Sequence, residues 1–246
     1  MKKLLVWALF AKETSLQRIA VQISMKKIVF AVWLFSATGL FSQQAADSQS
    51  FSYGFVAGAE LQTLNIQQQP LQSGRPFIPN QNLTGTGASL GMWAQWRVFS
   101  ALEVRQGLQI SLLSNAIRFE TPDGQTQRDR YHFADLELPL HFVLSNQLQH
   151  LPAKALILFG GRASWNLADG RSSAALNLLP ERFAVDLGIG AGFHIGNWSI
   201  QPELMYSYGL NNLHDFQNSP YDWAAGRVLR DRLSLRVVVG FPAIER

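Results

Sequence analysis

The feature that most constrains this chain is an alternation of apolar with small or polar residues that recurs in eight runs between Phe51 and Phe241. A period of two places successive side chains on opposite faces of a β-strand. Connections between the runs are alternately long and short, which predicts an all-β fold, an eight-stranded antiparallel transmembrane up-and-down β-barrel. The runs cover about 52–62, 86–97, 102–113, 132–145, 154–167, 182–194, 198–210 and 229–241.

The run 198–210 shows the alternation most clearly. Its even positions hold Trp198, Ile200, Pro202, Leu204, Tyr206, Tyr208 and Leu210, whereas serine, glutamine, glutamate, methionine and glycine fill the odd ones. In a membrane barrel the apolar set faces lipid and the small or polar set faces the lumen. Aromatic residues collect at the water interfaces of such barrels. The aromatics near run ends are Trp96, Trp165, Trp198, Tyr206 and Tyr208.

The short connections all fall on one side of the predicted barrel. One of them contains Gly196-Asn197, a pair suited to the positive φ of a tight hairpin. We expect the short turns and the N-terminus to face the periplasm, and the long connections to face outward. The long connections are 63–85, 114–131, 168–181 and 211–228. In the last of these, Tyr221, Asp222 and Trp223 offer aromatic and acidic groups suited to contact with a protein partner.

Charged residues on the predicted lumen face are balanced in sign. Eight strands enclose a space just wide enough to be filled by side chains. Because an unpaired buried charge is strongly destabilising, we expect the two signs to pair and to form a filled lumen, not a water-filled channel. The predicted lumen charges are Glu60, Glu103, Asp135, Glu137, Asp186 and Glu203, with Arg97, Arg105, Arg162, Arg182, Arg232 and Arg236.

A secretory leader is expected before the barrel. Met-Lys-Lys at 25–27 precedes an uncharged run from Ile28 to Phe41 and then small and polar residues up to Ala46. A basic start, an apolar stretch and a small-residue exit are typical of a signal peptide, and this stretch is shorter than the roughly 20 residues that span a bilayer. We therefore predict three segments: a spurious N-terminal extension at 1–24, a signal peptide at 25–46 cleaved at about 42–46, and the barrel at 47–246.

The basic balance of the chain belongs to this leader. Of the 21 Lys/Arg and 17 Asp/Glu residues, six bases and one acid precede residue 43, which leaves 15 bases and 16 acids. A near-neutral chain offers no footprint for nucleic acid. The absence of cysteine excludes disulfides, thiol catalysis and cysteine-based metal sites. We expect no cofactor, no metal and no small-molecule substrate.

Two glycine-containing motifs and five histidines are the residues that could suggest an enzyme. Gly87-Ala88-Ser89-Leu90-Gly91 matches a hydrolase nucleophile elbow, but it lies inside an alternating run where small lumen residues are expected. Gly188, Gly190 and Gly192 are interpreted as lumen glycines in the same way. The five histidines lack metal-ligand spacing. Some small barrels modify lipid A with a surface serine and histidine, so His132 and His141 remain candidates for that chemistry.

Four stretches carry a family resemblance: Asp135-Leu136-Glu137-Leu138-Pro139-Leu140, Gly160-Gly161, Ser207-Tyr208-Gly209-Leu210-Asn211-Asn212-Leu213 and Asp231-Arg232-Leu233. Together they resemble the PorT family, Bacteroidetes outer-membrane barrels of the type IX secretion system that are associated with protein export and gliding. The likeness covers most of 51–241. Its Leu-Glu-Leu-Pro-Leu element recurs in the wider group of Bacteroidetes barrels, so it marks that group better than the family.

The leading hypothesis is a non-enzymatic outer-membrane barrel that assists type IX protein export by docking other proteins. Its partners would be outer-membrane lipid and proteins of the secretion machinery, and the export role comes from the resemblance alone. Three alternatives remain: a general barrel for adhesion or envelope integrity, a lipid A-modifying enzyme, and a soluble barrel whose apolar face surrounds a lipid.

Overall fold

In a computed structural model of the chain, the described residues are 51–68, 77–78, 82–147, 153–168, 176–216 and 221–242. The predicted leader and extension lie outside them. Eight strands are present in this part of the chain, and one 3-10 helix, Asp222–Ala224, precedes the last of them. The strands are β1 Phe51–Gln68, β2 Asn82–Phe99, β3 Leu102–Glu120, β4 Thr126–Gln147, β5 Ala153–Asn166, β6 Glu181–Ile195, β7 Trp198–Gly209 and β8 Ala225–Pro242.

The strands close into a single antiparallel barrel in chain order, with β1 paired to β8. The predicted eight-stranded up-and-down barrel is therefore confirmed. Phe51 begins β1 opposite Trp96, at the same end as the turns at 100–101 and 196–197. We call this the short-turn end and the opposite end the extended end. Gly196 has a φ of 59°, as a tight hairpin turn at this point requires.

The middle of the barrel exposes an apolar belt. Outward-facing side chains are strongly exposed, for example Leu90 at 66% and Ile189 at 62%, while the buried charged residues at the level of the belt, such as Glu60 and Asp186, face inward. On β1 the belt runs from Tyr53 to Leu61, about 20 Å along the barrel axis at a strand tilt of about 40°. This chain is thus a barrel of the outer-membrane type. The soluble alternative is wrong, because its charged face would have to be outside.

Above the belt the polarity of the strands reverses. On β1, Leu64 and Ile66 point inward and are buried, whereas Thr63, Asn65 and Gln67 point outward. On β3, Ile117 and Phe119 are buried inward while Arg118 is exposed. The extended end is therefore built as a soluble barrel is built, apolar inside and polar outside. It has this pattern because water, not lipid, surrounds it.

Several strands extend beyond their predicted boundaries into this end of the barrel. The predicted long connection at 114–131 is a strand hairpin, in which β3 runs to Glu120 and β4 starts at Thr126. Its turn is tied by Thr121 and Gln125, whose main-chain groups hydrogen-bond at 2.9 Å. Asp123 and Gly124 form its exposed tip, with Gly124 at a φ of 76°. The predicted connections at 63–85 and 211–228 likewise give up residues to β1, β2 and β8.

Aromatic side chains cluster at the short-turn end. The Phe51 and Trp96 rings lie at a tilt of 46° with centroids 5.6 Å apart, and Trp198 meets Phe241 edge-on at 4.9 Å. These rings face outward at the edge of the belt, where amphipathic rings favour a membrane–water interface. Among the described residues, no helix has both the length and the apolar character needed to cross a bilayer.

Candidate functional site

The upper lumen, toward the extended end, holds a continuous chain of buried ion pairs. Glu137 on β4 lies between two guanidinium groups: Arg162 donates to it from Nη1 at 2.6 Å and Arg232 from Nη1 at 2.5 Å. Arg162 also donates from Nε to Asp186 at 3.0 Å, and Asp186 contacts Nε2 of His141 at 2.7 Å. The chain therefore crosses the barrel between β4, β5, β6 and β8.

The same chain continues toward β1. Arg232 lies 3.1 Å from a carboxylate oxygen of Glu60 and 3.3 Å from Asp135. Asp135 also pairs with Arg230. Buried ion pairs hold only when geometry and extra hydrogen bonds offset the loss of hydration. The carboxylates of Glu60, Asp135 and Glu137 all face Arg232, which makes this residue the centre of the network.

A second ion cluster lies in the lower lumen. Glu203 on β7 pairs with Arg105 and accepts from Nη2 of Arg236 at 2.6 Å. Arg105 further donates from Nε to Gln95 at 2.7 Å, and its guanidinium stacks over the Trp93 ring at 5.1 Å. The cluster borders a cavity of about 10 Å³, room for roughly one water molecule.

An apolar cap closes the lumen at the extended end. It joins inward residues of the reversed strand segments to residues from the connections: Leu64, Ile66, Ile78, Leu83, Leu113, Ile117, Phe119, Tyr131, Phe133, Leu176, Leu213, Ala224, Ala225 and Val228. Tyr131 accepts a hydrogen bond from the backbone N–H of Leu176 at 3.0 Å, and burial raises the pKa of this tyrosine. The cap therefore stays uncharged and excludes water from the ion pairs beneath it.

Two smaller apolar clusters lie in the lumen toward the short-turn end. One combines Val56, Trp93 and Val238, and the other combines Val143, Leu156, Leu158 and Met205. The first of them lies beside the lower ion cluster, since Val56, Trp93 and Val238 line the same small cavity as Arg105 and Arg236. In the described residues, side chains fill the lumen, which is an arrangement suited to a rigid scaffold.

The structure buries ten of the twelve predicted lumen charges. The two exceptions, Arg97 and Glu103, form a 3.3 Å ion pair at the rim of the short-turn end, where the Arg97 side chain is 40% exposed. Arg97 is a correction to the prediction, because β2 emerges into water before that position. Sequence reasoning missed Arg230, although Arg230 lies on the same face of β8 as the predicted lumen residues Arg232 and Arg236.

Arg182 is the one predicted lumen arginine that the described residues leave without a carboxylate partner. It is buried, and its Nε donates to the backbone carbonyl of Arg230 at 3.1 Å. Its two terminal nitrogens have no hydrogen-bond partner. The predicted one-to-one pairing is therefore incomplete at this position.

The predicted contact segment 221–223 is packed against the barrel. Tyr221 meets the Phe119 ring at 5.0 Å and donates to the side chain of Gln127 at 2.7 Å. Asp222 is fully buried, 3.4 Å from Nε2 of His214, which corrects its assignment as a direct contact residue. Trp223 is half-buried. Tyr221 and Trp223 keep partly exposed faces, and their role in partner binding stays a prediction.

The enzymatic candidates occupy different environments. His141 is sealed in the lumen network, away from any surface. His132 is exposed just above the apolar belt and lies opposite Ser114 in the β3–β4 register. Gly87, Ser89 and Gly91 lie within the uninterrupted strand β2, so the elbow geometry of a hydrolase is absent there. Within the described ranges, no group of His, Asp and Glu is placed to hold a metal ion.

The chain is similar in architecture to several solved barrels. One is the outer membrane protein OprG from Pseudomonas aeruginosa, at 7% identity and a TM-score of 0.47, covering 78% of this chain and 96% of that one. A second is Neisserial surface protein A, at 13% identity, TM-score 0.37 and coverages of 78% and 98%. A third is the outer membrane protein AlkL in lipid bilayers, at 14% identity and a TM-score of 0.38, covering 78% of this chain and 89% of that one. No family model and no curated protein matches the chain.

Proposed function

We propose that this chain is a non-enzymatic barrel of the bacterial outer membrane that acts by docking other proteins, as an accessory component of type IX protein export. The short-turn end and the N-terminus would face the periplasm, and the extended end would face outward. The observation that carries the proposal is the filled lumen, whose buried ion pairs lie beneath the apolar cap. A barrel whose described lumen is filled by side chains is suited to work through its surfaces.

The export role is supported by the resemblance to the PorT family alone. The residues of that resemblance contribute to the lumen network in a way that fits a scaffold. Glu137 of the Leu-Glu-Leu-Pro-Leu element, and Asp135 directly before that element, face Arg232 of the eighth strand. The element thus holds β4 to β8 across the barrel, and a family of scaffolds would need that link for its shape.

Deletion of the gene tests the export role. We expect cargo of the type IX system to accumulate inside the cell in the deletion strain, and the wild-type gene to restore secretion. Variants Tyr221→Ala and Trp223→Ala, checked for normal barrel folding, would show whether these half-exposed rings contribute. Normal secretion in the deletion strain would remove the export role while leaving the barrel intact.

An adhesion or envelope role is distinguished by the same strains. Adhesion through the outer loops should fail when the segment 211–224 is trimmed, while cargo secretion continues. Export by docking predicts that secretion falls together with the loop. Increased sensitivity to detergent without a secretion defect would favour envelope integrity.

One observation keeps lipid A modification as a second candidate. Ser114 and His132 face each other across β3 and β4 on the outer surface, at the upper edge of the belt. A nucleophile and a base need this proximity, although a hydrogen bond between them and a third orienting group are also expected in a triad. Mass spectrometry of lipid A with and without the gene, and with Ser114→Ala, tests the alternative directly.

A further inference from the structure

A cluster of cationic side chains lies on the outer surface of the β3–β4 hairpin. Arg118, Arg128, Arg130 and His132 are all exposed, and all point away from the barrel interior. We call this group the basic patch. It belongs to the reversed part of the barrel, where the outward face is polar.

The register brings these residues close together. Arg118 is paired directly with Arg128, and Arg130 with Ala116, so that Arg130 lies diagonally from Arg118. Side chains of directly opposed residues start about 4.5–5.5 Å apart at Cβ, and like charges there repel. Arg118 is relieved in part by Glu120 at 3.3 Å, but no ion pair with a carboxylate is recorded for Arg128 or Arg130 within the described residues. An anion between them would relieve the repulsion.

The basic patch starts where the apolar belt ends. On β3 the last strongly exposed belt residue is Leu112, paired with Ala134, and the next outward pair is Ser114 with His132. Arg118 is six residues beyond Leu112, which corresponds to about 15 Å along the barrel axis. The interfacial layer of a phospholipid leaflet is only about 5–8 Å thick. The patch is therefore tall enough for a headgroup that carries several sugars.

Among the described residues, the upper ends of β1 and β2 lack this cationic character. At the same height β1 presents Thr63 and Asn65, and β2 presents Thr84 and Thr86. The outward Asp231 of β8 is buried and accepts from the backbone N–H of Gly209 at 2.9 Å. The exposed arginines are thus grouped on one hairpin, and the other outward-facing arginine of the described strands at this end is Arg227 on β8.

We propose that the basic patch binds the phosphate groups of a phosphorylated glycolipid of the outer leaflet, of the lipopolysaccharide class. Arginine binds phosphate oxygens through paired, charge-assisted hydrogen bonds. The long side chains of Arg128 and Arg130 can reach down toward the belt while their stems cover apolar surface. The proposal rests on the proposed outer-membrane location, with this hairpin facing outward.

The test uses the purified full chain in an uncharged detergent, with rough lipopolysaccharide as the probe and native mass spectrometry as the readout. We compare the wild type with Arg118→Gln, Arg128→Gln, Arg130→Gln and the triple variant. Arg227→Gln is the matched control, because Arg227 is also exposed and outward-facing but lies on β8. Loss of heat-dependent gel mobility identifies any variant that has not folded.

We expect each substitution in the basic patch to weaken lipopolysaccharide binding roughly fivefold, and Arg227→Gln to leave it unchanged. Enzymatically dephosphorylated lipopolysaccharide should bind weakly to all variants alike. Phosphatidylglycerol and inorganic phosphate serve as the other anion sources. If the wild type binds lipopolysaccharide more tightly than it binds phosphatidylglycerol or inorganic phosphate, the glycolipid proposal is supported. If either of these binds as tightly as lipopolysaccharide, the proposal is overturned.

Two failures are distinguishable. If the wild type and the triple variant bind lipopolysaccharide equally, or if Arg227→Gln is equally weakened, the patch is not the site and this inference is wrong. If the chain does not insert into vesicles of any composition, the outer-membrane location itself fails. Insertion into phosphatidylcholine vesicles without any preference for lipopolysaccharide contradicts the glycolipid site alone.

Discussion

The side-chain amide of Gln106 on β3 donates to the backbone carbonyl of Pro139 on β4 at 3.1 Å, and to the carbonyl of Gly107 at 3.3 Å. Gln106 is on the outward face, yet it is only 6% exposed. Pro139 has no N–H to donate, and the β3–β4 register is interrupted between the pairs at 106 and 109. The amide thus supplies hydrogen-bond donors at a break in the sheet at the middle of the bilayer, where no water could supply them.

Replacing Gln106 by leucine is expected to destabilise the barrel by about 1–3 kcal/mol, because two carbonyls lose a donor within lipid. Destabilisation would be informative, because a polar-to-apolar substitution on a lipid-facing surface would ordinarily stabilise the barrel. Urea unfolding in phospholipid vesicles measures it. Ala94→Leu, on the outer face of β2 directly opposite Gln106, is the control and should be neutral or slightly stabilising. An unchanged midpoint for Gln106→Leu would contradict the role of the amide.

Replacing Arg162 by methionine should be severe. Glu137 loses its 2.6 Å partner and Asp186 its 3.0 Å partner, which leaves carboxylates short of countercharge in a closed lumen. Removing one member of a buried ion pair costs about 3–5 kcal/mol. The free energy of unfolding in vesicles is the measurement. A loss below about 1 kcal/mol, as expected for an exposed pair such as Arg97–Glu103, would show that water reaches the network.

The opposite sign is expected for Arg182→Met. Its terminal nitrogens have no hydrogen-bond partner among the described residues, so the wild type bears part of the cost of burying this charge. A methionine of similar length removes that cost at the loss of one hydrogen bond to the carbonyl of Arg230. We expect stabilisation on the order of 1–3 kcal/mol in the same unfolding experiment. Destabilisation of Arg182→Met would show that this guanidinium is compensated in solution.

Phe119→Ala tests the apolar cap. Phe119 is fully buried at the extended end and packs against Tyr221 at 5.0 Å. Truncating a buried phenylalanine costs about 3–5 kcal/mol. Gln125→Ala, at the exposed hairpin turn nearby, is the control and should stay within about 0.5 kcal/mol. Equal effects of the two substitutions would contradict a packed cap.

Cysteine labelling tests closure and orientation together, since the chain has no cysteine of its own. Asp123→Cys lies at the exposed hairpin tip and should react with a membrane-impermeant maleimide on intact cells. Ser234→Cys lies in the lumen, where the wild-type side chain is fully buried, and should react only after unfolding. Rapid labelling of Ser234→Cys in the folded protein would demonstrate an open lumen.

The membrane-spanning part of the fold was predictable because lipid imposes a simple rule. Outward residues such as Leu204 must be apolar, and the inward partners at Glu203 and Ser207 are thereby marked as lumen residues. The same parity places Arg162 and Asp186 inside. The pairings themselves, such as Arg232 with both Glu60 and Glu137, depend on how far each strand is staggered against its neighbours. The alternation of inward and outward positions along each strand does not contain that information.

The extended end was not predictable because the period of two persists there while the apolar residues move from the outward to the inward face. Ile117 and Phe119 were assigned to a loop because the apolar set no longer occupies the outward positions. Ile78 and Leu176, which complete the apolar cap from the connections, belong to no periodic pattern at all. Pro139 gives a visible sequence signal for a sheet irregularity, but the compensating Gln106 is recognisable only once the register is known.

The eighth strand supplies Arg230, Arg232 and Arg236, whereas the carboxylates that receive them come from β1, β4 and β7. Until this last segment docks, five buried lumen carboxylates face only three buried arginines, Arg105, Arg162 and Arg182, so the interior carries excess negative charge. Docking of the last strand against the first therefore closes the barrel and neutralises its interior in the same late step of assembly. A truncated polypeptide that lacks this segment should consequently be held back by the assembly machinery instead of maturing into a smaller cylinder.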